Sequence, residues 1–135
     1  MTNLDRKTTI LLHIQKYCTE IEENFKFFGT HLEVFKENNI FRDSISMKVF
    51  QIGELTKELD KNYKDFIKET EKEVPWKNII RMRERFAHHY GDMNLEIIFD
   101  TALNDIPKLN EFIQKELKSI DNWNKNYCIL DIIML

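Results

Sequence analysis

The sequence predicts an all-α fold, an up-and-down bundle of about four to five helices. Only three glycines and two prolines occur in 135 residues, too few for the many turns of an all-β or α/β fold. Apolar residues recur at three- and four-residue spacings, which is typical of helices with one buried face. We expect a single helical domain over residues 1–120. The apolar C-terminal tail, residues 121–135, should either dock on the bundle or bind a partner.

The first half of the chain predicts two long helices with a short one between them. The first extends from Thr2 to about Phe28 and stops at Gly29, a residue that commonly ends helices. A short helical turn over residues 31–37 leads into the second long helix, from about Ile40 to Leu59. Its main apolar stripe consists of Phe41, Ile45, Val49, Ile52, Thr56 and Leu59.

The second long helix also has apolar residues on its other side. Met47 and Phe50 lie there together with Glu54, so this helix has a second surface to pack against, either another helix or a second subunit. Gly53 costs about 1 kcal/mol relative to alanine in mid-helix. We therefore expect a close helix contact at this glycine.

The second half predicts a connector and two further helices. Residues 60–75 are mostly charged and predict a partly helical connector. Pro75 suits the first turn of a third helix, from about Trp76 to His89. A fourth helix should start near Asn94, and Pro107 should kink or restart it.

One charged residue of the third helix lies on its apolar side. At about 100° per residue, Arg83 projects from the centre of an apolar cluster, whereas Arg81 and Arg85 lie on the opposite side. The cluster consists of Trp76, Ile79, Ile80, Phe86, Ala87 and Tyr90. Because an unpaired buried charge is strongly unfavourable, Arg83 should pair with an acid or point into a cleft that binds an anion. Glu54 and an acid on the fourth helix are the candidate partners.

His88 follows Arg83 by five residues, which points the two side chains about 140° apart on an unbroken helix. They would converge only if the helix unwinds near Gly91, or if a two-fold related copy supplies half of the site. Glu84 and His88 share a helical face, but no second histidine–carboxylate pair completes a four-helix metal centre. We therefore expect no metal.

Bulk properties restrict the classes of partner and the compartment. The net charge of −3 gives no overall attraction to nucleic acid or acidic membranes, so a polyanion would have to bind the basic stretch 81–85. Cys18 and Cys128 fit no metal-ligand spacing and are too few for a disulfide framework, which predicts two reduced thiols. We expect no signal peptide and no membrane span, because the start of the sequence lacks the charged-then-apolar pattern and no apolar run reaches spanning length. A cytoplasmic protein is expected.

The motif formed by Arg83, His88 and Tyr90, Arg-x4-His-x-Tyr, resembles the hallmark of the HepT-like branch of HEPN proteins. These are the ribonuclease toxins of two-gene toxin–antitoxin modules. The resemblance extends over roughly residues 5–117. The other matching features are Ile52-Gly53-Glu54, Pro75-Trp76, Met82-Arg83 and Ile106-Pro107-x-Leu109. One position departs from the pattern, because Glu84 stands where the residue after the motif arginine is usually asparagine.

The resemblance implies a metal-independent endoribonuclease that needs no cofactor and works as a homodimer, with two motif helices facing each other across a cleft. His88 would be the general base or acid, and Arg83 would hold the scissile phosphate. Glu54 would support the site. Arg81 and Arg85 would either steer the RNA backbone or simply form a solvated basic face.

The resemblance also implies how the protein is silenced. Tyr90 matches the tyrosine to which a partner nucleotidyltransferase antitoxin transfers AMP, although it could equally be a core aromatic residue. The assembly with the antitoxin could be a higher hetero-oligomer. An alternative function is a non-catalytic HEPN module that binds a nucleotidyltransferase or a nucleotide as a scaffold, and Glu84 favours it. A plain helical dimerisation protein is a third alternative.

Overall fold

A computed structural model of the protein describes the backbone of residues 5–123, and the side chains of that range except those of residues 89, 90 and 121–123. The predicted tail beyond residue 123, with Cys128, lies outside the described residues. All regular structure in the described range is helical. The predicted all-α class is therefore confirmed.

Seven α-helical segments follow one another along the described chain. They are α1 (Arg6–Phe28), α2 (Leu32–Glu37), α3 (Asn39–Asn62), α4 (Lys64–Thr70), α5 (Trp76–His89), α6 (Leu95–Asp100) and α7 (Ile106–Trp123). A π-helical turn, Thr101–Asp105, joins α6 to α7 into one continuous helix. This part of the chain thus forms six helices, slightly more than the four to five expected, because the charged connector contains α4.

Local hydrogen bonds set the ends of the first long helices. The Asp5 carboxylate accepts a hydrogen bond from the Thr8 backbone N–H at 2.8 Å and starts α1. The Asn38 side chain accepts a hydrogen bond from the Phe41 backbone N–H at 3.1 Å and starts α3. Gly29 ends α1 with a φ of 85°, a left-handed conformation that favours glycine. The predicted stop at this residue is confirmed.

Helix α3 occupies the centre of the bundle and packs against both α1 and α5, while α1 also packs against α7. Every residue of the predicted α3 stripe is buried. Five phenylalanines fill the end of the bundle where α1, α2, α3 and α6 meet. They are Phe25, Phe28, Phe35, Phe41 and Phe99. Cys18 is also buried, and burial raises the pKa of its thiol well above the ordinary range.

Pro107 lies directly after the π-helical turn. The backbone N–H of Ile106 donates to the carbonyl of Thr101, five residues back. A proline has no N–H, and its ring collides with the carbonyl four residues earlier in a regular helix, whereas a π turn locally changes the ladder of hydrogen bonds. The expected interruption is therefore a π turn, after which the helix resumes as α7. No helix in the described part of the chain is long and apolar enough to span a membrane.

Candidate active site

A buried tryptophan anchors the helix that carries the motif. Trp76, the first residue of α5, is 1% exposed, and its indole N–H donates to the Thr70 hydroxyl at 2.9 Å. The helix runs from Trp76 to His89, which matches the predicted bounds. A 3-10 turn, Tyr90–Asp92, follows at once. The start and direction of the motif helix are thus fixed by the core.

The buried face of α5 differs in part from the predicted one. Met82 is buried, although the sequence pattern did not place it in the apolar cluster. Ala87 is exposed and Ile80 is only half-buried, although both were expected on the buried side. The difference is a rotation of α5 about its axis, because the packing of α5 against α3 determines which of its residues face inward. Arg83 consequently lies at the edge of the buried face.

Helices α3 and α5 approach each other closely at Gly53. A Cβ atom at this position would lie 3.1 Å from the Cγ of Arg83 and 2.5 Å from its Cβ, and the shorter distance is one that real Cβ atoms do not tolerate. Only glycine allows the two helices to come this close here. The close helix contact expected at Gly53 is confirmed. The residue that packs against this glycine is Arg83, the motif arginine.

Arg83 contacts two carboxylates. Its side chain is only 19% exposed. The Nε–H donates to Oε1 of Glu54 on α3, and Nη1 donates to Oε1 of Glu84 at 3.1 Å. The Glu54 hydrogen bond is the main cause of a raised pKa for Arg83, and Glu84 acts in the same direction. Of the two acids proposed as its partner, the structure therefore has Glu54.

Glu84 connects the two motif residues. Its Oε1 accepts hydrogen bonds from Arg83 and from Lys57 Nζ, the latter at 3.0 Å, while its Oε2 lies 3.8 Å from Nε2 of His88. The hydrogen bond from Lys57 is the main cause of a lowered pKa for the Glu84 carboxyl, and Arg83 lowers it further. The one residue that departs from the motif pattern is thus the residue that joins Arg83 to His88.

The other predicted site residues occupy different surroundings. The His88 side chain is 69% exposed, and α5 does not unwind before it. Arg81 and Arg85 are exposed on α5, so they remain available for steering a ligand. Tyr90 opens the 3-10 turn after α5, with a side chain outside the description. Among the described side chains, no group of three or more His, Cys, Asp or Glu could hold a metal ion.

Sequence reasoning did not identify Lys57 as part of this cluster. It lies three residues after Glu54 and therefore on the same face of α3, which is the signal that could have found it. A lysine on an exposed helix face is usually a solvated residue, so the spacing alone did not distinguish it. Its contact with Glu84 joins residues 27 positions apart.

Comparisons with known proteins agree on one family. Residues 14–116 match the family described as "Ribonuclease HepT-like". A protein from Caldanaerobacter subterraneus subsp. tengcongensis, named "Putative RNase TTE0752", is 34% identical over 110 residues, which are 78% of this chain and 93% of that protein. "Probable ribonuclease HepT" from Thermococcus cleftensis is 28% identical over 89 residues, 62% of this chain and 81% of that protein.

A third relative, "Putative RNase MJ0127" from Methanocaldococcus jannaschii, is 37% identical over 75 residues, 56% of this chain and 59% of that protein. No solved structure matches the chain significantly. The family match spans α3 and α5 with their glycine contact, the Arg83 ion pairs and His88. On these grounds the chain belongs to the ribonuclease HepT-like family.

Proposed function

We propose that the protein is a metal-independent endoribonuclease that cleaves RNA with Arg83 and His88. The observation that carries the proposal is the single carboxylate of Glu84, which lies 3.1 Å from Nη1 of Arg83 and 3.8 Å from Nε2 of His88. A guanidinium and an imidazole thus flank one oxyanion position at the protein surface. The relatives named as RNases support the same activity.

The chemistry of RNA cleavage fits these groups. The 2′-oxygen of the substrate attacks the adjacent phosphorus, so that the P–O2′ bond forms and the P–O5′ bond breaks. RNA supplies this nucleophile itself, and the protein needs only to move protons and stabilise charge. His88 would take the proton from the 2′-hydroxyl or give one to the leaving 5′-oxygen, because imidazoles titrate near neutrality. Arg83 would stabilise the negative charge on the non-bridging oxygens.

The test is cleavage of a labelled RNA by purified protein in the presence of a chelator. The expected products end in a 2′,3′-cyclic phosphate and a 5′-hydroxyl. Exposed Arg81 and Arg85 would contribute to binding the RNA backbone, so raised salt should weaken binding. Cleavage that a chelator abolishes and Mg²⁺ restores would contradict the proposal.

A homodimer is part of the proposed function. Met47, 58% exposed, lines a groove of about 410 Å³ with Asp43, Phe50 and Phe86. The Phe50 and Phe86 rings lie 5.7 Å apart, so this groove is continuous with the α3–α5 contact. A second copy seated here would place two α5 helices close together, so that each cleft draws on both motifs. An exposed apolar groove of this kind is typical of protein–protein contacts.

The dimer can be tested at the half-buried Phe50. Phe50→Asp should shift the protein towards monomer in light scattering, because a charge in an apolar interface lacks a partner. Lys61→Asp, at an exposed position near the end of α3, is the matched control and should leave the molar mass unchanged. A Phe50→Asp protein that stays dimeric and active would move the interface elsewhere, with the tail 121–135 as the next candidate.

The proposal includes silencing by a partner nucleotidyltransferase antitoxin that transfers AMP to Tyr90. Tyr90 follows α5 directly and comes two residues after His88 in the chain, and we propose that AMP attached to it occupies the anion site of Arg83. Incubation with the partner and Mg-ATP should add AMP to Tyr90, detected by mass spectrometry, and remove RNase activity. Tyr90→Phe should escape silencing. An unmodified Tyr90 in a fully inhibited complex would show instead that the antitoxin works by occlusion.

A non-catalytic scaffold is the second candidate function. Two carboxylates, Glu54 and Glu84, contact Arg83, and the Glu84 carboxylate occupies the position that a substrate phosphate would need. This observation favours a module that binds a nucleotidyltransferase without cleaving RNA. Tight binding of the partner, without RNA cleavage under any of the conditions above, would decide in its favour.

A further inference from the structure

The surroundings of the Glu84 carboxylate have the composition of an anion-binding site. Two nitrogens, Lys57 Nζ at 3.0 Å and Arg83 Nη1 at 3.1 Å, donate to the same oxygen, Oε1. A third nitrogen, Nε2 of His88, lies 3.8 Å from Oε2. These groups come from two helices and converge on one oxyanion. The anion that they hold is a side chain of the protein itself.

A phosphate oxygen accepts hydrogen bonds from the same donors as a carboxylate oxygen. The cluster is open to such a ligand, since the side chains of Lys57 and Glu84 are 50% and 41% exposed. Ion pairs that exposed are weak and are screened by salt. An incoming phosphate can therefore replace the Glu84 carboxylate without disturbing the core.

Arg83 is held in a way that allows this exchange. Its Nε–H donates to Glu54, whereas only Nη1 donates to Glu84. The Glu54 hydrogen bond and the packing against Gly53 keep the guanidinium in place when Glu84 leaves. The outer edge of the guanidinium is then available for a phosphate.

We propose that Lys57 is a phosphate-binding residue of this site and that Glu84 is its built-in competitor. A backbone phosphate of RNA takes the position of the Glu84 carboxylate between Lys57 and Arg83, and Glu84 turns towards solvent. The inference rests on the proposed ribonuclease function and deepens it. It adds a lysine from α3 to a site whose motif residues all lie on or next to α5.

The test measures binding apart from cleavage. A fluorescent 2′-O-methyl RNA oligonucleotide lacks the nucleophile, so fluorescence anisotropy reports affinity alone. Glu84→Gln, which keeps the size of the side chain and removes its charge, should tighten binding about five- to tenfold. Lys57→Met should weaken binding about tenfold, because a hydrogen bond to a charged group is lost. Inorganic phosphate should compete with the oligonucleotide more effectively in Glu84→Gln than in the wild type.

Lys61→Met is the matched control for Lys57→Met. Lys61 is exposed on the same helix, one turn and about 6 Å further along, and its loss removes the same charge. Lys57→Met should lower the slope of log affinity against log salt by about 0.7, the value for one phosphate contact with a single strand. Lys61→Met should leave that slope nearly unchanged.

The outcomes separate this inference from the proposed function. Equal effects of Lys57→Met and Lys61→Met would overturn the assignment of Lys57, since only net charge would then matter. Unchanged affinity in Glu84→Gln would overturn the competitor role. If the protein still cleaves RNA, neither of these results contradicts the proposed ribonuclease activity. The expected binding pattern in a protein that cleaves no RNA would support the phosphate site and refute the ribonuclease activity.

Discussion

Two of the contacts that helix α3 makes differ in the interactions that hold them together. At its contact with α1 and the aromatic end of the bundle, Phe41 is fully buried, stacks on Phe28 at 4.8 Å and meets Phe25 edge-on at 5.7 Å. At its contact with α5, Gly53 allows close approach and Arg83 forms ion pairs. The first contact is apolar and enclosed, whereas the second combines the Phe50–Phe86 ring contact with ion pairs at an edge that is open to solvent.

The difference indicates that the first contact contributes mainly to stability and the second mainly to activity. Burial of apolar area is the dominant stabilising term of a fold, whereas partly exposed ion pairs contribute little. The aromatic end should therefore carry stability, and the α3–α5 contact should carry activity. Substitutions at the two contacts should separate these properties.

The largest expected effect is on stability at the aromatic end. Phe41→Ala should lower the free energy of unfolding by about 3–5 kcal/mol, because it leaves a cavity in a fully buried cluster. Urea denaturation measures this loss, and cleavage by the remaining folded protein should be retained. Phe27→Ala is the control, since Phe27 is exposed, and should change stability by less than about 1 kcal/mol. Equal losses in the two variants would show that the aromatic end is not the main source of stability.

The next effect is on activity at the other contact. His88→Ala should lower the cleavage rate about 10²- to 10⁴-fold, as expected for the loss of a general acid or base. Its unfolding free energy should stay within about 0.5 kcal/mol of the wild type, because the side chain is mostly exposed. His89→Ala should retain most of the activity. If His89→Ala were the inactive variant, His88 would not be the proton-transfer group.

Gly53→Ala tests whether the close approach of α3 and α5 matters for both stability and activity. The added Cβ would lie 2.5 Å from the Cβ of Arg83, so the helices must separate. The overpacking cost of about 1–3 kcal/mol should outweigh the gain of about 1 kcal/mol in helix propensity. Thermal unfolding should show this loss, and cleavage should fall because Arg83 moves.

Gly91→Ala provides the matched control for Gly53→Ala. A Cβ at Gly91 would have nothing within 4 Å, so stability should remain near that of the wild type. A Gly53→Ala protein that is as stable and active as Gly91→Ala would mean that the helices can separate without consequence. The spacing of α3 and α5 would then limit neither stability nor activity.

The smallest expected effect is a pH dependence at the charged contact. The pKa of the Glu84 carboxyl is lowered, mainly by the hydrogen bond from Lys57. Its contribution to stability is therefore present above the unfolded pKa, about 4.3, and is lost as the pH falls through the lower folded value. The melting temperature of the wild type should fall slightly more than that of Glu84→Gln below about pH 4. Identical pH profiles would show that the Glu84 ion pairs contribute nothing to the folded state.

Most of the fold could be predicted from local patterns. The bounds of α5 and the stop at Gly29 match the structure, because caps and apolar periodicity act within a few residues. The partly helical connector is confirmed as well, since α4 occupies Lys64–Thr70 and buries only Ile67 and Thr70. The rotation of α5 was missed at Met82 and Ala87. An apolar stripe is about 100° wide or wider, so it does not fix which residues at its edges face inward.

The residues of the candidate site were likewise predicted only in part. The sequence placed Arg83, His88 and Tyr90 in order along one helix and its end, and it named Glu54 as one of two possible partners of the arginine. It did not identify Lys57, because nothing in a run of exposed lysines marks the one that faces another helix. The bridging position of Glu84 was likewise not apparent, although its departure from the motif was.

The all-α class, the approximate extents of the long helices and the place of the motif follow from the sequence alone, because these depend on hydrogen bonds and spacings within a few residues. Which charges meet depends on tertiary packing. The Arg83–Glu54 and Lys57–Glu84 pairs join residues 29 and 27 positions apart. Their contact depends on how closely and at what rotation α5 packs on α3, and the missing side chain of Gly53 sets that distance.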